Sequence, residues 1–309
     1  MSEKKTSIGG QALIEGIMMR GPNKVATVVR RVNGETVCKE TEFKPITERS
    51  KLIGLPFIRG VIGFIEMLSV GTKELFYSAD IATEDETMEP DKFDLWLKKT
   101  FGDKGDKVVM GFAMFIGILI PIGLFILLPT FLAGLIEGFL PHPLLRNAAE
   151  GVLRLCIFLF YLFVMSKIKD MRRVFSYHGA EHKTIFCYEA GLPLTVENVR
   201  NQKKEHPRCG TSFLFVVMII SIVIFSFTSW TNPWVRMGFR LLLLPVVVAI
   251  SYEINRLVGR HDNFLTRFLR APGVLLQKMT TFEPDDSMIE VAIEALEKVI
   301  PEDETTDKW

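Results

Sequence analysis

Of the five histidines in this chain, three (His178, His182 and His206) fall within one polar stretch between residues 167 and 211. His178-Gly-Ala-Glu181-His182 sets two imidazoles four residues apart with a carboxylate between them. On a helix, positions four apart share a face, so both rings can meet one divalent ion while Glu181 sits beside them. In zinc hydrolases such a glutamate accepts a proton from water that the ion acidifies. A catalytic zinc usually has three protein ligands and an open position, so a third donor is needed. His206-Pro-Arg-Cys209 offers an imidazole and a thiol at a spacing of three, and Glu189 stands seven residues after His182, two helical turns along. Glu253 is a further candidate, as the sole carboxylate of the last apolar stretch. Imidazole and thiol donors favour zinc over magnesium and leave iron admissible. Each residue also has a plainer reading. The paired histidines can be a solvated amphipathic face, Cys209 a buried apolar residue, and Glu253 a side chain that snorkels beside Arg256.

The elements that would position these groups follow from how the apolar residues are distributed. Only 7 of the 73 charged residues fall in Val108–Ser166 and Ser212–Ile254, where an even spread would put about 24. A spanning helix needs about 20 mostly apolar residues. Four stretches qualify: Val109–Pro129, Val152–Met165, Phe213–Trp230 and Phe239–Ile254. Pro121 and Pro129 predict a kink in the first, followed by a short interfacial piece. Fifteen Lys and Arg flank one side of these stretches, against Arg146, Arg154, Arg236 and Arg240 on the other. By the positive-inside rule, both termini and the loop 167–211 are cytoplasmic, in a protein of the inner membrane. The expected fold class is therefore mainly α and integral to the membrane, with about four transmembrane helices, a small N-terminal cytosolic β unit and interfacial helices.

The parts are then 1–50, a β-rich unit; 51–107, an interfacial amphipathic helix and acidic linker; 108–166, the first two spans; 167–211, the histidine loop; 212–256, the last two spans; and 257–309, a cytosolic end. Val25–Arg31 and Glu35–Glu42 are β-rich and joined at Asn33-Gly34, a strong hairpin signal. In Leu52–Tyr77, Arg59, Glu66 and Lys73 recur every seven residues on one helix face, predicting an interfacial helix, with a re-entrant or fifth membrane segment as the rival. Glu84–Asp94 reads as an acidic linker. Ser287 and Glu290 predict a capping box, followed by an apolar stripe through Ile289, Ile293, Leu296 and Ile300.

Composition excludes several function classes. With 37 basic against 36 acidic side chains, the chain has no field to hold a polyanion, and nucleic acid is not an expected partner. The lipid bilayer is the expected partner, and no protein partner is specified. Cys38, Cys156, Cys187 and Cys209 form no CxxC pair, so no disulfide framework is indicated. The polar start leads into no apolar stretch and predicts no cleavable signal peptide.

Four longer motifs carry a resemblance: Gly9-Gly-Gln-Ala-Leu-Ile-Glu15-Gly-Ile-Met-Met-Arg20-Gly-Pro22, Tyr177-His-Gly-Ala-Glu-His-Lys183, His206-Pro-Arg-Cys-Gly-Thr211 and Ser251-Tyr-Glu253. Through them the chain resembles, over nearly its whole length, the YqhQ-like family of bacterial multi-pass membrane proteins. The resemblance implies metal dependence and implies no particular reaction. In the first motif Glu15 and Arg20 can be substrate or supporting groups, although a glycine-rich entry into a β unit has backbone reasons of its own. It lacks the Lys-Ser/Thr ending of a phosphate loop.

The leading expectation is a zinc site of His178 and His182 with His206 or Cys209, and Glu181 as base or fourth ligand. The reaction would be hydrolysis of a peptide, lipid or amide at the inner leaflet. The alternative is a scaffold or assembly factor in which His178, His182, His206 and Cys209 close a structural site. A transporter is disfavoured, because Glu253 stands nearly alone as a polar group in the apolar stretches.

Overall fold

Residues 9–42 hold β-rich runs broken at Ile14-Glu15, Gly21-Pro22-Asn23 and Asn33-Gly34, and they form a meander whose two inner strands are buried almost throughout. The computed structural model describes residues 5–84, 105–140, 142–227, 232–261, 263–303 and 306–307. Strands β1 (Gly9–Leu13), β2 (Gly16–Arg20), β3 (Lys24–Arg30) and β4 (Thr36–Glu42) build one antiparallel sheet in sequence order. The Asn33-Gly34 hairpin is present, with Arg30 opposite Thr36 and Gly34 at φ +92°. The first hairpin, absent from the sequence reading, turns on Ile14-Glu15 with Glu15 at φ +50°.

Helix α1 (Ile46–Arg49) leads to α2 (Ile58–Thr83), then to α3 (Gly105–Ile122), a π-helical turn (Gly123–Leu127) and α4 (Leu128–Leu135). A short 3₁₀ turn (Glu137–Phe139) precedes α5 (Pro143–Met165), α6 (Lys169–Glu189), α7 (Val196–Arg200), α8 (Gly210–Ser226), α9 (Pro233–Arg260), α10 (Phe264–Thr280) and α11 (Asp286–Glu297). The protein is thus mainly helical with a small N-terminal sheet. The acidic linker expected at Glu84–Asp94 lies, beyond Glu84, outside the described residues.

Among the described residues, three helices are long and apolar enough to cross a membrane: Gly111–Leu135, Leu145–Lys167 and Trp234–Arg260. The helix Gly210–Ser226 is equally apolar but shorter. Pro121 does not end the first of these. The helix continues past it, through the π-helical turn Gly123–Leu127, to Leu135.

The chain divides into two compact units. One comprises Met1–Asp85, Leu162–Ser221 and Pro245–Trp309; the other comprises Glu86–Tyr161 and Ile222–Leu244. The first has a conventional core, in which Ile17, Met19 and Val28 of the sheet pack with Tyr177, Ala180 and Ile185 of α6 and Ile289, Ala292 and Leu296 of α11. The apolar stripe expected on α11 is therefore the docking face. The cap differs from the expectation: Asp285 is the N-cap, accepting from Met288 N–H at 3.0 Å, and Ser287 donates to it. An acidic side chain just ahead of the helix fits its positive end better than the serine two residues on.

Helix α2 is packed inside out. Its buried residues are Gly60, Glu66, Gly71, Glu74, Ser78 and Ala82, whereas Ile65, Met67 and Leu68 are exposed. Glu66 accepts from Ile46 N–H at 2.9 Å, and Glu74 takes Lys39 and Thr27 of the sheet. Of the polar heptad only Glu66 is buried; Arg59 is half-buried and Lys73 exposed, and the face turned to protein carries Glu66 and Glu74 instead.

The second unit overturns one sequence reading. Arg154 and Arg240, expected as flanking charges, are buried inside the apolar helices together with Glu150 and Thr130. Arg240 donates to both Glu150 oxygens, one at 2.7 Å, and to the Thr130 hydroxyl. Arg154 donates to Glu150 Oε1 at 3.2 Å, and both guanidinium groups lie over the Phe225 ring. Glu253 is therefore not alone among polar groups in these stretches, because hydropathy averages hide charges that neutralise one another at depth.

Candidate metal centre

Helix α6 carries the HxxEH pattern, and its buried face is unusually polar: Glu181, His182, Lys183 and Thr184 are all buried beside Tyr177, Ala180 and Cys187. A face of this kind is stable only if each polar group has a partner. The partners come from distant segments. His178 Nδ1 lies 2.8 Å from the carbonyl of Thr280 at the end of α10. His182 Nδ1 lies 2.5 Å from the carbonyl of Lys204 in the loop before α8. A carbonyl can only accept, so each Nδ1 carries the proton and each Nε2 is left as a lone-pair donor. This is the outer arrangement that orients metal-binding imidazoles.

A third group that could hold an ion is Cys209, just before α8. Its Sγ is 3.2 Å from His178 Nε2, and it accepts from Thr211 N–H at 3.4 Å. One ligand atom from each of His178, His182 and Cys209 lies within 4.8 Å of the others. Bonds of about 2.0–2.3 Å to a tetrahedral ion imply ligand separations of about 3.3–3.8 Å. The His178–Cys209 edge, at 3.2 Å, has about that length, and the donor set suits a thiophilic divalent ion.

His206 is near but differently engaged. Its ring centroid is 5.7 Å from that of His182, while its Nε2 meets Glu189 Oε2 at 3.3 Å. Its backbone is clamped by the buried Gln277, which accepts from His206 N–H at 2.7 Å and donates to its carbonyl at 2.8 Å. Glu189 also takes Arg208 and the Thr6 N–H. Burial tends to raise the Glu189 carboxyl, but His206 and Arg208 outweigh it and hold it below the usual range. Burial lowers the His206 imidazole below its ordinary value, with Glu189 opposing.

Glu181 does not belong to the ligand triangle. Its Oε1 accepts from Gly10 N–H at 3.0 Å. Burial pushes its carboxyl upward, against the His178 ring and the Gly10 amide. Two glycines explain why this packing is possible. A Cβ on Gly10 would stand 2.9 Å from the Glu181 carboxyl carbon, and one on Gly179 would stand 2.0 Å from the Phe282 carbonyl oxygen.

The other sequence candidates lie elsewhere. Glu253 receives Arg59 through two hydrogen bonds, at 2.8 and 2.5 Å, and the N–H of Phe57, whose φ is +68°. Glu15 pairs with Arg173 and accepts from the Tyr177 hydroxyl at 3.3 Å, tying the first hairpin to α6. Burial, then Glu15, pushes the Tyr177 hydroxyl upward. Sequence reading missed Gln277 and the carbonyls of Thr280 and Lys204. Backbone carbonyls carry no residue-type signal, and a lone glutamine in an amphipathic helix has none either.

Residues 55–302 match the family described as "Protein of unknown function (DUF1385)". The chain is also similar to the "Uncharacterized protein YqhQ" of Bacillus subtilis (strain 168), 35% identical over 309 residues that cover 97% of this chain and 95% of that protein. No solved structure matches. The match over most of the chain, and the identity that extends it across the N-terminal sheet, place this protein in the YqhQ-like DUF1385 family.

Proposed function

We propose that this protein is a metal-dependent enzyme of the inner membrane, with four spans and cytosolic termini, whose ion is held by His178, His182 and Cys209. The observation that carries this reading is the pair of imidazoles fixed through Nδ1 by backbone carbonyls, with the Cys209 thiol 3.2 Å from His178 Nε2 and one ligand atom of each residue within 4.8 Å of the others. Zinc is the favoured ion, because imidazole and thiolate donors suit it better than magnesium or calcium, with iron next. Such an ion supplies Lewis-acid activation at whatever coordination position the protein leaves open. Three side chains leave that position open, since His206 is directed to Glu189. Glu181, adjacent to His182 and held by Gly10, is the proposed proton acceptor for hydrolysis of a peptide, lipid or amide bond at the inner leaflet. The fourth span is the helix Gly210–Ser226, whose described length is short but whose composition is that of the other three.

The structural alternative has one observation in its favour, the proximity of the His206 ring to that of His182. Cobalt substitution of the detergent-purified protein separates the two readings. With three protein ligands, the visible spectrum changes on adding azide, and the thiolate-to-cobalt band is lost in Cys209→Ser. A spectrum insensitive to azide, and altered by His206→Ala, identifies a closed four-ligand site. Absence of bound metal in the wild type, with His178→Ala and His182→Ala unchanged, removes the centre altogether.

A further inference from the structure

Helix α10 exposes large apolar side chains in a way that a surface in water does not sustain. Phe264 is 87% exposed, Phe268 68% and Leu275 61%. Its opposite face is tied down, by Gln277 to His206 and by Gly273, whose Cβ position is 2.7 Å from the Ser212 side chain near the start of α8. One flank of the exposed face is basic, with Arg267, Arg270 and Lys278 at spacings of three and eight. Between α10 and Pro207 runs a groove of about 340 Å³, lined by these three cations and by Ala271, Val274 and Leu275. Phe/Leu on one face with Lys/Arg at its edge is the composition of a helix that lies in the plane of a bilayer. The location agrees, because Ser212 opens an apolar helix and α10 follows directly on another that ends at Arg260.

We propose that this groove seats one anionic phospholipid, with its phosphate against Arg267, Arg270 and Lys278 and its acyl chains along Val274, Leu275 and the exposed phenylalanines. The occupant is a lipid because the walls combine an apolar floor with three positive charges. A soluble anion would have no use for the floor, and a zwitterionic lipid none for the full charge. Pro207 belongs both to this groove and to the loop that delivers Cys209, so a bound headgroup lies two residues from a proposed metal ligand. The lipid site itself rests on the membrane reading and is independent of the metal.

Native mass spectrometry of the full-length protein in detergent tests it, with phosphatidylglycerol and phosphatidylcholine titrated in parallel and zinc counted in the same spectra. One phosphatidylglycerol is expected to bind at least tenfold more tightly than phosphatidylcholine, from partial contributions of three cations. Arg267→Gln/Arg270→Gln/Lys278→Gln is expected to abolish that preference, and the corresponding change to three lysines (Arg267→Lys/Arg270→Lys) to retain it. Equal affinity for the two lipids in the wild type overturns the proposal, as does a preference that survives the triple substitution. Displacement of the lipid by millimolar inorganic phosphate also overturns it, in favour of a soluble-anion site. Loss of lipid preference with zinc retained counts against the groove alone; retained preference in metal-free protein counts against the metal centre alone.

Discussion

Replacing Glu150 by Gln tests whether the buried charge network holds the apolar helices together. Glu150, Arg154 and Arg240 are only 3%, 5% and 1% exposed. The glutamate carboxylate receives both guanidinium groups and the Thr130 hydroxyl, at 2.9 Å for the latter. Glutamine has nearly the same shape but removes the only negative charge among these residues, leaving two like charges packed over one ring. Breaking a buried ion pair by removing one partner costs about 3–5 kcal/mol. With two cations orphaned rather than one, the upper half of that range is expected. At roughly 2–4 °C per kcal/mol, the apparent Tm should fall by on the order of 10 °C or more. Fluorescence-detected size exclusion after heating in detergent reads this directly. A full apolar replacement, Glu150→Leu/Arg154→Leu/Arg240→Met, should recover much of the loss, because it leaves no charge unpaired. A Glu150→Gln protein that melts within 1 °C of wild type, or a triple variant no better than the single one, would refute the reasoning.

Three further outcomes are expected. Gly179→Ala forces a methyl group against the Phe282 carbonyl and displaces the Thr280 carbonyl two residues away. It should cost about 1–3 kcal/mol and lower zinc retention, whereas Gly63→Ala, with nothing within 4 Å, should not; equal behaviour of the two would be decisive against this account. Gln277→Ala strands the buried N–H and C=O of His206 and should cost roughly 2–4 kcal/mol, measured by the same thermal assay, with Gln277→Glu less harmful because it keeps the acceptor. Stability should decline with acid in two stages. His206, whose imidazole is depressed below 6.5, keeps its contribution above 6.5 and loses it as pH falls from there through its lower folded value. Glu189, depressed below 4.5, keeps its contribution above 4.5 and loses it as pH falls through its lower folded value. Melting curves from pH 7.5 down to about 2.5 check this, and a flat or rising Tm on acidification contradicts it.

Periodicity and turn chemistry made several features legible before the structure: the Asn33-Gly34 hairpin, the docking stripe of α11 and the shared face of His178 and His182. Cys209 was visible as a candidate only because thiol chemistry restricts the residue type. What separates it from His206 is a clamp by Gln277, 71 residues away, and no local pattern encodes a contact at that range. Arg154 and Arg240 were misread for a related reason. The positive-inside rule counts cations near helix ends without asking whether a carboxylate such as Glu150 waits on a neighbouring helix. Tertiary pairing overrides the local inference in both cases.

The proposed ligands and the carbonyls that orient them come from widely separated parts of the chain, and this bears on how the protein is made. A nascent chain that has reached only residue 200 already holds both imidazoles, yet Cys209 and the Lys204 carbonyl are still to come. The Thr280 carbonyl that sets the His178 tautomer is added only after the last apolar helix has been synthesised. On the proposed ligand set, ion capture at full affinity is therefore a late event in biogenesis. A chain stalled before residue 280 should release metal readily, so occupancy would report that synthesis has run past the final apolar helix.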